Sequence, residues 1–452
     1  MSTIRHTTRL LRGSRLRPSS FRFTQTRPLT TTPKVDLEAP TAPIRQPPNA
    51  NSVHFPGALN SQFTSTMSFH APNATPSLPT YRIMDTNGEI IDTSHTPTMD
   101  AEGMLKMYTA MVKTSIMDMI MYDSQRQGRI SFYMVSSGEE GVAVGSAAAL
   151  NPEDVIFSQY REQGALMYRG FRLDEFMNQM FGNRLDYGKG RNMPIHYMSE
   201  RLNVHSISSP LATQIPHAVG AAYGLKREGE GRVVVCYFGE GAASEGDFHA
   251  GLNIAATRSC PVVFICRNNG YAISTPSLEQ YKGDGIASRG IGYGIETIRV
   301  DGNDIWAVHE VTKRAREIAS KEQRPVLIEA MTYRISHHST SDDSFAYRPR
   351  EEVESWKRRD DPITRFRKYL ENKGLWDSSK EEDLRKTVKK EVMNAFMAAE
   401  KERKPRVREM FGDTFKEETP VLKKQREELK RVVAEYPNEY DLDAFEDGKD
   451  GL

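Results

Sequence analysis

Two short segments carry the residues best suited to chemistry. The apolar run Val233-Val234-Val235-Cys236-Tyr237-Phe238 ends directly in Gly239-Glu240-Gly241-Ala242, and the next run, Pro261 to Cys266, ends directly in Arg267-Asn268-Asn269-Gly270-Tyr271. Glu240 and Asn269 stand 29 positions apart. As neighbouring parallel strands, the two runs place their carboxyl ends on one edge, where open α/β sheets bind ligands. A carboxylate, a carboxamide oxygen and a backbone carbonyl are hard donors suited to magnesium held together with a diphosphate. Gly239 and Gly241 allow the backbone to approach phosphates, and the next helix offers free N–H groups at its start. Arg267 at the same strand end can pair with a phosphate through two nitrogens. The triplet Gly283-Asp284-Gly285 follows no apolar run and has no matching asparagine pair after it, so it reads as a loop.

The elements that must hold these residues emerge from the pattern of apolar runs. Between about 130 and 335, runs without alternation (233–238, 261–266, 325–330) and the shorter Ile298-Arg299-Val300 are separated by helical stretches around 245–257 and 304–320. Runs of this kind are strands buried on both faces, so βαβ units and a parallel sheet are expected. Asp100 is positioned to cap a helix in which Met104, Met107, Tyr108, Met111 and Val112 recur at helical spacing. A methionine stripe raises a soft-metal site as one reading and adaptable core packing as the other, and packing is preferred. Tyr81 to Met84, Asn87-Gly88 and Ile90-Ile91 read as a small hairpin laid over a surface. Residues 379–404 and 419–435 are charged and helical in pattern, and an acidic, aromatic tail closes the chain as a partner-packing segment or a frayed end. The division expected is 1–34 presequence, 35–99 linker and N-terminal extension, 100–370 α/β cofactor domain, and 371–452 helical region and tail.

Composition narrows the class. The 452 residues are 38% hydrophobic and 27% charged, with a formal net charge of +1, which suits a globular protein of ordinary apolar content. No uninterrupted apolar stretch reaches the length of a membrane helix, so no membrane span is expected. Three cysteines (Cys236, Cys260, Cys266) make no disulfide framework and suit a reduced compartment. Residues 1–34 hold seven arginines and Lys34 but no acid, the pattern of a mitochondrial presequence rather than a secretory signal. Without those cations the remainder is mildly acidic, which argues against a nucleic-acid binder. A magnesium-nucleotide enzyme would show a GxxxxGK[ST] loop, and there is none.

Longer segments narrow the family. The strand–Gly-Glu-Gly–strand–Asn-Asn arrangement resembles the cofactor motif of thiamine-diphosphate enzymes, with Glu240 where the usual pattern has aspartate; the extra methylene changes reach and keeps the ligand type. Phe157-Ser158-Gln159-Tyr160-Arg161-Glu162, Ser208 to Gln214 and Arg334 to Asp343 resemble the alpha subunits of 2-oxo acid dehydrogenases. His337-His338-Ser339-Thr340-Ser341-Asp342-Asp343 and Arg267 to Thr275 are closer to the branched-chain members than to the pyruvate ones. The likeness runs from about Val53 to Phe445.

The resemblance implies a role for each matching position. Glu240, Asn269 and the carbonyl of Tyr271 would hold magnesium. Tyr160, Arg161, Ser209, Leu211, Gly241, Ala242, Arg267 and His338 would contact thiamine diphosphate, His338 also moving a proton. Ser208, Pro210, Thr213 and Gln214 would hold a monovalent cation, potassium. Taken singly, Arg161 would be a surface ion pair and Ser208-Ser209-Pro210 a helix cap and turn. Adjacent His337 and His338 cannot both face one metal from a regular element, so no zinc site is expected. Ser339 matches a serine phosphorylated by a dedicated kinase and cleared by a phosphatase; the second such position is Pro349 here. The implied activity is decarboxylation of branched 2-oxo acids in the mitochondrial matrix, with acyl transfer to the lipoylated acyltransferase core. No second α/β half is evident, so a beta subunit in an α2β2 assembly is expected to supply the rest of the active site. A pyruvate-type or broad specificity and a catalytically silent assembly subunit are the alternatives.

Overall fold

A computed structural model of the protein describes residues 52–53, 61–71, 74, 76–94 and 97–452. The segment 1–34, read above as a presequence, lies outside the described residues. In the first of two units, 1–70, strands β1 (Ser52–Val53) and β2 (Ser61–Gln62) pair antiparallel.

The second unit, 71–452, is built on a six-stranded sheet of β3 (Thr80–Tyr81), β4 (Val155–Phe157), β5 (Val234–Gly239), β6 (Val262–Asn268), β9 (Glu296–Asp301) and β10 (Val326–Met331). A separate antiparallel pair, β7 (Tyr271–Ala272) and β8 (Thr275–Pro276), comes after β6. The spatial order is β3-β9-β10-β6-β5-β4, and every pairing is parallel. The apolar runs fail to alternate because each face of the sheet has its own core. Val235, Tyr237, Val263, Ile265 and Ile328 join one core, with the helices Ala101–Arg126 and Ile305–Glu322. Val234, Cys236, Phe238, Phe264 and Leu327 join the other, with Gln214–Glu228 and Gly246–Thr257.

The helix Ala101–Arg126 starts where its cap was expected: Asp100 Oδ1 accepts from Gly103 N at 2.8 Å. Met107, Tyr108, Met111 and Val112 are fully buried, so the methionine stripe is core. The helix Ser378–Lys401 buries Val388, Val392 and Phe396 in the same core, and Tyr108 donates to Glu381 at 2.7 Å. The tail is tied down at its end, where Lys404 N donates to Ala444 O and Glu446 N to Lys404 O, while Tyr436 and Tyr440 remain exposed.

The segment at 80–91 departs from the simple hairpin. Met84 does bridge Ile90 around the Asp85–Gly88 turn, but Thr80 and Tyr81 pair with Arg299 and Val300 as the edge of the main sheet. Asp304 explains the capture. One of its oxygens caps the helix Ile305–Glu322 at Trp306 and Ala307, and the other accepts from Ile83 N and Met84 N at 2.8 and 2.7 Å.

Asp118, within the helix Ala101–Arg126, accepts from Tyr133 Oη, Ser136 N and Ser136 Oγ at 2.6–2.7 Å. Burial outweighs these donors and pushes its carboxyl up to about 6. The native chain therefore keeps a proton between about pH 4 and 6 that the unfolded chain releases, and stability falls as pH rises through that window. The span corresponds to about 3 kcal/mol. Asp118→Asn should flatten this part of the stability–pH curve in denaturant titrations; an unchanged slope would contradict the assignment.

Candidate active site

β5 and β6 are neighbours in register, Gly239 opposite Arg267, so their tips meet at one rim. Asn269 N donates to Glu240 Oε2 at 3.3 Å, and Glu240 N donates to Arg267 O. Glu240 is 1% exposed and its Oε1 has no hydrogen-bond partner. Burial, with Glu139 adding to it, pushes its carboxyl up to about 7. A buried carboxylate oxygen without a partner is costly in an apolar setting, and a cation there would offset that cost. Asn269 Nδ2 donates to Glu139 Oε1 at 3.1 Å, which fixes the amide so that Oδ1 accepts from Tyr271 N at 3.2 Å. The carbonyl of Tyr271 lies 3.5 Å from Arg334 Nη1. These donors are of the type a hard divalent cation takes, with Glu240 Oε1 left unpartnered.

Between β5 and the helix Gly246–Thr257 a 3₁₀ turn, Ala242–Ser244, intervenes. Its first hydrogen bond runs from Ala243 N to Glu240 O, so the N–H groups of Gly241 and Ala242 precede the bonded turn. The first N–H groups after the β5 tip thus belong to this turn rather than to the longer helix. Gly241 has no room for a side chain, since a Cβ there would sit 2.8 Å from the Cβ of Ala272.

Arg267 departs from the reading as a two-nitrogen phosphate clamp. It is buried, with Nη1 on Glu139 and Nε on Glu162 at 2.5 Å, so two of its three nitrogens are already committed to carboxylates. Arg161, also buried, donates through Nη1 to Val135 O and through Nη2 to His338 O at 2.7 Å, and lies 3.7 Å from Glu139. Glu139 is the hub that sequence reasoning missed, since one carboxylate holds both arginines and the amide. Glu162 was missed with it, although it directly follows Tyr160-Arg161.

His338 receives two guanidinium donors at Nδ1, Arg161 at 3.0 Å and Arg334 at 3.4 Å. Desolvation and the neighbouring Arg161, Arg334 and Arg267 lower its pKa to about 2. This favours the neutral ring, in which Nδ1 accepts from the guanidinium groups and Nε2 carries the proton. With both guanidinium groups at Nδ1, Nε2 is the ring nitrogen left for a bound group, and the lowered pKa disfavours the charged ring. Tyr160 meets the ring edge-on at 5.9 Å. His337 turns the other way, its Nδ1 on Ser344.

The loop from 338 to 348 is bound internally. His338 N and Tyr347 Oη both donate to Asp342 Oδ2 at 2.7 Å, and Arg334 Nη2 donates to Tyr347 Oη. Ser339 is 8% exposed, and its Oγ accepts from Ser341 N at 3.2 Å.

In the 208–214 segment, Thr213 Oγ1 lies 3.1 Å from both Ser208 Oγ and Pro210 O. Gln214 Nε2 donates to Tyr237 O at 3.0 Å, which anchors the segment on β5. Ser209 and Leu211 are exposed. Asp284 of the rejected triplet serves a structural contact, taking Leu78 N and Arg299.

The tips of a parallel α/β sheet thus bring a buried acid, an amide and a cluster of arginines to one edge, the place where open α/β sheets bind ligands. The sequence profile of the dehydrogenase E1 component family matches residues 108–408. The mitochondrial 2-oxoisovalerate dehydrogenase subunit alpha of Mus musculus is 55% identical over 392 residues, 87% of this chain and 88% of that protein. The Caenorhabditis elegans subunit of the same name is 54% identical over 387 residues, 85% and 90% of the two chains. The Arabidopsis thaliana subunit alpha 2 is 48% identical over 395 residues, 87% and 84%. The chain belongs to the dehydrogenase E1 component family. Within it, these relatives carry the branched-chain reading: a thiamine-diphosphate-dependent 2-oxo acid dehydrogenase component of the alpha type, mitochondrial as its relatives are named.

Proposed function

We propose that the chain works as the alpha half of a heteromeric enzyme that decarboxylates branched 2-oxo acids and passes the acyl group to a lipoyl arm. The observation that carries the site assignment is the unpartnered, buried Glu240 Oε1 beside Asn269 on the adjoining strand tip. Glu240, Asn269 and the Tyr271 carbonyl would hold Mg2+, and the N–H groups of Gly241 and Ala242 would face the diphosphate. Thiamine diphosphate supplies the nucleophilic carbon and the electron sink for decarboxylation. The chain's own residues position and polarise. Arg161 and Arg334 fix His338 so that its Nε2–H donates, while Tyr160, Ser209, Leu211 and the remaining nitrogen of Arg267 complete the contacts. Ser208, Pro210, Thr213 and Gln214 would share K+, whose binding orders their loop.

The exposed Ser209 and Leu211 are consistent with a beta subunit covering this rim in an α2β2 assembly, with a lipoylated acyltransferase as the next acceptor. The test is co-expression with the beta chain, then decarboxylation assays across 2-oxo acids with and without thiamine diphosphate and Mg2+. Cofactor-independent turnover would reject the site, and full-rate turnover by the alpha chain alone would reject the shared one.

Ser339 is the proposed target of a regulatory kinase and phosphatase. A phosphate adds roughly −1.5 to −2 charges next to His338 and Asp342, and the buried hydroxyl cannot accept it without opening the loop. Ser339→Glu is expected to lower the activity of the whole complex; unchanged activity would count against regulation here.

A further inference from the structure

Ser209 is exposed, and a hydroxyl in that position needs no protein partner, yet the side chain of His196 is directed at it. Ser209 Oγ lies 2.6 Å from His196 Nε2, and His196 is only 8% exposed. The other ring nitrogen, Nδ1, lies 3.0 Å from the carbonyl of Pro194. A carbonyl only accepts, so Nδ1 carries the hydrogen; in the neutral ring Nε2 then accepts, and the serine must donate. Ser209 therefore turns lone pairs, not a proton, toward whatever occupies the rim. It can meet a donor group or a cation there, and not the acceptor oxygens of a phosphate.

The backbone around this pair is held in the same sense. Gln179 Nε2 donates to Met193 O at 2.7 Å, and Asn192 Nδ2 reaches both His196 O and Ser206 Oγ. Ile195, a buried β-branched residue, is held at φ +67°, and Ala212 on the other segment has the same φ. Non-glycine residues rarely adopt that conformation, and it persists where surrounding contacts over-determine it. Segments 192–196 and 206–212 thus form one braced unit, with the His196–Ser209 bond at its solvent-facing end.

We propose that His196 is a positioning residue for the cofactor rim: it sets the polarity of Ser209 and braces the segment whose Ser208, Pro210 and Thr213 oxygens would hold the monovalent cation. This rests on the functional reading above. It assigns Ser209 to the amino-bearing end of thiamine diphosphate, or to the cation, and leaves the diphosphate to the N–H groups and arginines.

The test uses the assembled alpha–beta enzyme, with calorimetric titration of thiamine diphosphate and a K+ titration of thermal stability. Losing one such hydrogen bond should weaken cofactor binding by about tenfold in His196→Ala. The K+ midpoint should rise in parallel, with kcat at saturating cofactor little changed. Gln places a carbonyl oxygen near the Nε2 position, so His196→Gln should recover most of the affinity. Ser209→Ala combined with His196→Ala should be no worse than the weaker binder of the two, because both remove one contact. Wild-type cofactor and K+ affinity in His196→Ala, a Gln variant as weak as Ala, or losses that multiply in the double variant would each overturn the proposal. Should His196→Ala fail to assemble, His196→Gln against Ser209→Ala carries the same comparison. Failure of the wild-type complex to bind thiamine diphosphate would instead reject the functional reading itself.

Discussion

Glu240→Gln should move two measurements in opposite directions. In the assembled complex, Mg2+-dependent binding of thiamine diphosphate should weaken by at least about a hundredfold, because groups that merely orient a metal ligand already account for roughly 10–100-fold and the substitution removes a ligand charge. In the absence of metal, at pH 8, the same variant should be more stable than wild type. The native carboxyl titrates near 7, so at that pH it is ionised, buried and short of a partner on Oε1. A neutral amide avoids this, by on the order of 1–3 kcal/mol. Calorimetric titration and thermal melting check the two arms. Weaker binding with a lower melting temperature would point to a general packing defect, and unaltered binding would remove Glu240 from the metal site.

The second large effect is expected at Glu139. Glu139→Leu leaves Arg267 with Glu162 alone, takes the nearest carboxylate from Arg161, and frees the amide of Asn269. Removing one member of a buried charge network usually costs about 3–5 kcal/mol, since the remaining charges stay buried and underpaired. A bound diphosphate returns negative charge to the same arginines. Thiamine diphosphate with Mg2+ should therefore raise the melting temperature of the variant complex by more than it raises that of wild type. Equal shifts would mean that these arginines do not face the diphosphate.

The sheet and its rim were legible in the chain because each rests on a local signal. Unalternating runs such as Val234 to Phe238 can be satisfied only by a core on both faces, and the residues directly after each run must form a strand tip. Glu240 and Asn269 could thus be paired without any alignment. The surroundings of the rim were not legible, because they come from distant positions. Nothing near Arg267 announces that Glu139 and Glu162 will meet it, so it read as a free phosphate clamp. Nothing beside His338 announces Arg161, 177 positions away, so the lowering of the ring's pKa by that guanidinium was not visible. In both cases the residue was located and its electrostatic company was not. The edge strand failed for a related reason: two residues of β structure carry no periodicity, and only the free edge of β9 and the oxygens of Asp304 give them a place.

That edge strand has a bearing on how the polypeptide tolerates trimming. The family profile begins at residue 108, yet Thr80 and Tyr81 occupy the open side of β9, and the guanidinium of Arg365 donates to the carbonyls of Met84 and Asp85. A recombinant fragment cut to the profile would expose a row of unpaired backbone groups along β9, a template for chain-to-chain aggregation, and would strip Arg365 of two acceptors. A fragment that keeps the β9 edge covered therefore has to begin upstream of Thr80, before the block the profile matches.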